Sequence, residues 1–316
     1  MDVSLFFAGT AGSVPTARRG LPALLLRAGG ERILFDCGEG TQQQLLRSIG
    51  LPELDAIFIT HFHLDHWLGL LGMLKTFDLR ARERELRLFG PPGMRQLITG
   101  LRPILGRTGY PLTVVDLEPH EEIRFQSLVI SPFRVQHRVE TYGYAIMEDD
   151  RPGRFDVDAA RALGIDDGPD FGRLQRGEIV NGVQPEQVMG QTRPGRRIVL
   201  SGDTAPCQSV EVFAHDADVL VHEATFLENE RARARETAHS TARQAAEIAR
   251  DAGVRLLALT HLSTRYFPRD IRDEARTVFP NTIVPRDFDA LSIPFPERGE
   301  PALVKPEREP EPAAAP

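Results

Sequence analysis

Ile57-Phe58-Ile59-Thr60-His61-Phe62-His63-Leu64-Asp65-His66 is the stretch on which the reading of this chain turns. An apolar run of strand character leads into three imidazoles and one carboxylate within six residues. A lone histidine is usually a satisfied core or surface residue. Four imidazole and carboxylate donors this close together are ligand chemistry for zinc and neighbouring transition metals. Alternation along an extended chain puts His61 and His63 on the same side. The helix suggested by the spacing of Leu68, Leu71 and Leu74 then lets the intervening turn direct Asp65 and His66 at a second ion.

Outward from this stretch, short apolar runs bounded by Gly and Pro read as strands at 3–7, 23–27, 32–35 and 56–59. Further strands fit 86–89, 112–115, 128–135, 144–147, 197–200, 219–222 and 256–259. Thr241 and Gln244 fit a capping box opening a helix whose face is Ala242, Ala245, Ala246 and Ala249, with Gly253 as its stop. The chain is therefore mixed α/β, without an internal repeat. Segment 148–194 breaks the pattern: it is rich in Gly, Pro, Asp and Arg, and its apolar periodicity is poor. Structureless loops of that length are uncommon in compact domains, so it is expected to be an inserted, flexible arm. Residues 296–316, rich in Pro, Glu and Ala, are expected to be a disordered tail, which leaves 1–295 as one domain that includes the arm.

Bulk composition excludes some classes of function. No apolar run approaches the roughly 18 residues of a membrane span. Met1-Asp2 opens without basic residues, so no targeting segment is expected. Two cysteines, Cys37 and Cys207, are too few for a disulfide scaffold, and a reducing cytoplasm is the simplest setting. The net charge of −7 argues mildly against a nucleic-acid partner, although an average leaves room for a basic face.

The His61–His66 stretch matches the H-x-H-x-D-H motif, and on it the chain resembles the metallo-β-lactamase superfamily. The resemblance implies an αββα four-layer sandwich with metals at strand ends. Further ligands are expected at His137, Asp203 and His261, each after a strand-like run. By resemblance His61, His63, His137 and Asp203 hold one zinc, while Asp65, His66, Asp203 and His261 hold the other. Two ions about 3.5–4 Å apart suit in-line phosphodiester hydrolysis by an activated water, with Asp65 both ligand and proton acceptor. His120 and His215 match no ligand position and read as surface histidines.

More matches resemble the ribonuclease Z family in particular. They are Phe35-Asp36-Cys37-Gly38-Glu39-Gly40-Thr41-Gln42, His222-Glu223-Ala224-Thr225-Phe226, His239-Ser240-Thr241 and the run from Thr260 to Tyr266. Pro152-Gly153-Arg154-Phe155-Asp156 and Gly164-Ile165 resemble that family's tRNA-binding arm. The resemblance covers about residues 1–295. It implies a zinc-dependent endoribonuclease that removes the 3′ trailer of precursor tRNA and leaves a 3′-hydroxyl. It also implies a homodimer, in which one subunit's arm clamps tRNA for the other subunit's site.

His239 lies just before the capping box, where helix N–H groups favour an anion, so it is a candidate general acid. Glu223 would orient its ring; the competing reading is a purely structural pair. Arg265, Arg151 and Arg154 are candidate phosphate contacts, with Arg265 equally readable as a solvated side chain. In the loop Pro15-Thr16-Ala17-Arg18-Arg19-Gly20, Ala17 and Gly20 replace the Lys and Asn of the family's P-x-K-x-x-N, a loop associated with rejection of CCA-bearing tRNA. Weaker rejection is expected, with Arg18 or Arg19 restoring only the charge. Two other functions fit the same residues: a phosphodiesterase of this fold acting on a small ester, and an RNA-binding module that no longer cleaves.

Overall fold

Alternation along the strands sorts their side chains onto two faces, and that sorting builds the layers of the protein. The structure, a computed structural model, describes residues 2–308. Its strands are β1 (Val3–Gly9), β2 (Ala23–Ala28), β3 (Glu31–Phe35), β4 (Ala56–Phe58), β5 (Leu86–Gly90), β6 (Leu112–Asp116), β7 (Ile123–Arg124) and β8 (Leu128–Arg134). They continue with β9 (Tyr142–Glu148), β10 (Arg197–Leu200), β11 (Val219–Glu223), β12 (Leu256–Thr260), β13 (Thr282–Ile283), β14 (Ala290–Ser292) and β15 (Ala302–Val304). One sheet has the order β15-β14-β1-β2-β3-β4-β5-β6, the other β13-β12-β11-β10-β9-β8-β7. Strands β3 to β6 run parallel, as do β10 to β13, so in each run the C-terminal ends share one edge.

Leu5 and Phe7 of β1, Ile33 and Phe35 of β3, and Ala56 and Phe58 of β4 share a core cluster with Ile198, Leu200, Val219, Val221, Leu256 and Ala258 of the second sheet. The alternate residues Phe6, Leu34 and Ile57 instead meet Leu45, Leu70, Met73, Leu74 and Met94 on the helices Thr41–Ser48, Leu70–Leu79 and Met94–Leu105. Likewise Leu220, Leu257 and Leu259 meet Val210, Ala245, Ala249 and Ile271 on Gln208–Ala214, Ala242–Asp251 and Pro268–Arg276. Helices thus cover the outer face of each sheet, giving the αββα sandwich that the resemblance implied. The capping box is present: Gln244 N–H donates to Thr241 Oγ1 (3.2 Å) and Thr241 N–H to Gln244 Oε1 (3.0 Å).

The segment Met147–Arg196 is a compact unit by itself. It is not the structureless stretch its composition suggests. It contains the helices Val157–Ala162 and Pro169–Gln175, and a small core of Ala160, Ile165, Leu174, Val180, Val183 and Val188, with Phe155 and Phe171 against it. Helices of six and seven residues are too short to show a period, and their apolar partners are far apart in sequence. The buried Arg196 closes the unit's base with a pair to Glu148 (2.7 Å).

The expected tail is also corrected in part. Ala302–Val304 is an edge strand antiparallel to β14, preceded by the short turn Pro296–Arg298. Its side chains are exposed, so it is held by backbone hydrogen bonds to which hydropathy is blind. The remainder of that expectation, from 309 onward, lies outside the described residues. Among the described residues, no helix is long and apolar enough to cross a membrane.

Candidate metal centre

Each expected ligand sits where a strand has just ended. His61 and His63 follow β4, and Asp65 and His66 ride the one-turn helix Leu64–Trp67 behind them. His137 follows β8, Asp203 follows β10 and His261 follows β12. All seven residues come together in two groups, His61, His63, His137 and Asp203 in one and Asp65, His66 and His261 in the other.

Asp203 lies between the groups: its Oδ2 is 3.8 Å from His61 Nε2, 3.3 Å from His66 Nε2 and 3.2 Å from His261 Nε2. Asp65 Oδ2 stands 3.6 Å from His66 Nε2 and 3.5 Å from His261 Nε2. His63 turns its Nδ1 inward, 3.0 Å from His61 Nε2 and 3.3 Å from His137 Nε2. Donors about 2.0–2.1 Å from a tetrahedral zinc are about 3.3 Å from one another, so these spacings suit ions between them.

The outward-facing atoms are pinned in two parallel relays. Asp36 accepts from His66 Nδ1 (2.7 Å) and from Thr60 Oγ1 (3.0 Å), which in turn accepts from His61 Nδ1 (3.0 Å). Glu223 accepts from His239 Nδ1 (2.7 Å) and from Thr225 Oγ1 (2.6 Å), which in turn accepts from His261 Nδ1 (2.8 Å). His137 Nδ1 donates to the Ala238 carbonyl (2.8 Å). These partners set the tautomers and leave the Nε2 lone pairs pointing at the centre. Buried His66 Nε2 and His261 Nε2 have no hydrogen-bond partner, which a buried polar atom rarely tolerates unless it has another ligand. His222 Nε2 is orphaned too, but His222 belongs to neither group.

Asp36, Thr60 and Thr225 hold the candidate ligands through hydrogen bonds, and the sequence alone assigned them no role. The available signal was an acidic residue directly after a buried strand. Asp36 (φ 59°) and His261 (φ 56°) both hold left-handed backbone, strain of the kind that gathers at sites. Close approach also dictates glycine here: a Cβ on Gly38 would lie 2.3 Å from the Asp65 carbonyl, and one on Gly12 2.6 Å from His261 Nδ1.

Electrostatics favour a cation at the centre. Burial works against ionised Asp203, yet His261 and His66 facing it hold its carboxyl well below the usual range. Burial and the neighbouring imidazoles push His61 well below its ordinary value, which leaves it neutral and able to ligate. Burial also opposes charge on His66, but Asp203 and Asp36 override it and favour positive charge there, which a bound metal cation would supply in place of the proton. Burial alone would lower His239, whereas the Glu223 carboxylate raises it to about 9. Glu223, 1% exposed, accepts also from Thr204 N–H (2.8 Å) and Thr225 N–H (3.2 Å). His239 lies within ligand reach of Asp203 and His261 as well.

The remaining expectations fare differently. Arg265 is paired with Glu230 (3.1 Å), so a phosphate there would compete with that carboxylate. In the arm, Arg151 reaches the Pro194 carbonyl (3.3 Å) and Arg154 is exposed. Arg161, Arg173 and Arg176 are paired with Asp167, Asp170 and Glu178 of the same unit. In the loop, Arg19 turns inward to Thr10 and the Pro285 carbonyl, while Arg18 stays exposed. Gly20 lies against Gln44, whose Nε2 would be 2.7 Å from an added Cβ, so an asparagine cannot be restored there without displacing Gln44. Exposed His120 stacks on Phe213, and exposed His215 pairs with Asp216.

The family model for the β-lactamase superfamily domain matches residues 31–155 and 178–262. The chain is 43% identical over 302 residues to a ribonuclease Z of Myxococcus xanthus, covering 93% of this chain and 98% of the relative. It is 41% identical over 307 residues to a ribonuclease Z of Archaeoglobus fulgidus, covering 94% and 100%. Among solved structures, the short form of human tRNase Z aligns with a TM-score of 0.68 at 26% identity, covering 92% of this chain and 99% of that one. The metallo-β-lactamase fold protein YhfI of Bacillus subtilis, at 19% identity and a TM-score of 0.68, shares the fold. At 41–43% identity over nearly their full length to these relatives, the chain belongs to the ribonuclease Z family.

Proposed function

We propose that this chain is a metal-dependent endoribonuclease that removes the 3′ trailer of precursor tRNA and leaves a 3′-hydroxyl on the tRNA. The observation that carries the reading is the Glu223–His239 couple (2.7 Å) standing beside the seven gathered donors. Zinc is the inferred ion, two per chain, because imidazole and carboxylate are its usual donors and the orphaned Nε2 atoms need a ligand. His61, His63, His137 and Asp203 would hold one ion, and Asp65, His66, Asp203 and His261 the other. Such a pair, when bound, supplies Lewis acidity to a phosphoryl oxygen and makes a water acidic enough to attack near neutral pH. Asp65, steadied by the Ser13 N–H at 2.9 Å, accepts the water's proton. His239, aimed by Glu223, donates a proton to the departing O3′. The homodimer, the cytoplasmic setting and the arm's hold on tRNA through Arg151 and Arg154 are supported by the family resemblance.

Incubation with a 3′-extended precursor tRNA tests this directly. Cleavage should stop with a chelator and return on adding Zn²⁺, and metal analysis should find two ions per chain. Failure to bind any divalent ion under loading conditions, or intact precursor in the loaded protein, overturns the reading.

A further inference from the structure

A cavity of about 510 Å³ is lined by Gln136, Arg231, Arg235, His239 and Gln244, with Ala205, Pro206 and Ala232 as small apolar walls. Its walls are extensions of the catalytic frame. Gln136 precedes His137, Ala205-Pro206 follow Asp203, and Gln244 lies in the first turn after His239. The arginines project from the helix Arg231–Thr237.

The donor inventory is one-sided. Arg235 is exposed and makes no side-chain bond among the described residues, and Arg231 is shared with Glu228 at 3.0 Å. Gln244 spends its oxygen on the Thr241 N–H (3.0 Å), which leaves its NH₂ group to donate. The exposed Gln136 carboxamide is unengaged among the described residues. Two guanidinium forks and spare amide donors suit a phosphate together with the acceptor edges of a base. The volume falls in the roughly 300–1,000 Å³ range of small-ligand pockets.

We propose that this cavity is the subsite for the last nucleotide of the mature tRNA, the one whose O3′ leaves, with the phosphate on its 5′ side held by Arg235 and Arg231. The assignment rests on the endoribonuclease reading above. Water oxygen bonds to phosphorus while its proton passes to Asp65. The P–O3′ bond breaks with its electron pair going to O3′, which takes the proton of His239. The phosphate stays with the trailer. The proton donor must stand within hydrogen-bond reach of O3′, so the nucleotide carrying O3′ lies on the His239 side, where this cavity opens. The free Gln136 carboxamide, with both a donor and an acceptor, suits varied base edges, so little preference for one base at this position follows.

The test is a coupling measurement on the loaded enzyme. One precursor carries a neutral methylphosphonate at the linkage 5′ to the last mature nucleotide, and another carries it one linkage into the trailer. With wild type, the first should raise KM by roughly 10–100-fold. Arg235→Ala should raise KM for the natural precursor by a similar factor and make the first methylphosphonate cost nothing further. Its log–log salt slope should be shallower by about one. Arg235→Lys should recover part of the loss, whereas Arg272→Ala, a half-buried arginine paired with Asp273 on another helix, should leave KM and the slope unchanged. Additive losses, or coupling of Arg235 to the trailer-side linkage instead, would overturn the subsite. A wild-type enzyme that leaves the natural precursor uncut refutes the endoribonuclease reading itself.

Discussion

Half-buried His239 and fully buried Cys37 show how surroundings set a side chain's chemistry. Glu223 Oε1 at 2.7 Å from His239 Nδ1 leaves only Nε2 free for the proposed proton donation, and the same carboxylate favours the charged imidazole at neutral pH. His239→Ala should therefore lower kcat on precursor tRNA by about 10²–10⁴-fold. The loss should be much smaller on bis(p-nitrophenyl) phosphate, whose leaving group needs no proton. Equal losses on the two substrates would point to a structural pair instead. Cys37 lies in the buried loop after β3, where burial pushes its thiol up to about 12. With so little thiolate present it should resist alkylation. Iodoacetamide at pH 8 should label Cys207, which is half-buried, and reach Cys37 only on unfolding, as read by peptide mass spectrometry.

At the scale of elements, the helix Ala242–Asp251 begins two residues after Ser240 and carries the site's polar corner. Thr241 Oγ1 accepts from Gln244 N–H and donates to Glu228 Oε2 (2.8 Å), so it serves as cap and as tie to the neighbouring turn. Thr241→Ala should cost about 1 kcal/mol, within a range of roughly 0.5–2. A urea midpoint that falls while the slope stays constant would register it. An unchanged midpoint would mean that water replaces the cap without loss. The buried alanines Ala242, Ala245, Ala246 and Ala249 in turn let the helix lie close against the sheet, which keeps His239 near the ends of β11 and β12.

For the whole molecule, the proposed reading gives tRNA capture to the unit Met147–Arg196 and chemistry to the gathered donors outside it. None of the seven gathered donors lies in it, and it has its own small core. Cutting only 151–176 would run through that core, so the informative variant replaces 149–195 with a short Gly/Ser linker. KM for precursor tRNA should rise by at least about 10²-fold, an amount equal to the loss of two or more charged phosphate contacts. Hydrolysis of bis(p-nitrophenyl) phosphate should persist. Unchanged tRNA processing would remove the arm from substrate binding and favour an enzyme for small esters.

Much of this protein was legible because the information was local. His61, His63, Asp65 and His66 lie within six residues, and the capping box spans four. The strands before His137, Asp203 and His261 are short apolar runs that read one by one, and the family resemblance picked out a residue after each. Only the tertiary structure decided which residues hold those candidate ligands in place. Asp36 reaches His66 across thirty positions, and Thr225 meets His261 across thirty-six. Such pairs depend on which strand lies beside which, and no short-range pattern records strand order. The arm's core escaped notice because its apolar residues are scattered and its helices are short. Strand β15 escaped because it pairs through backbone atoms that every residue type offers alike.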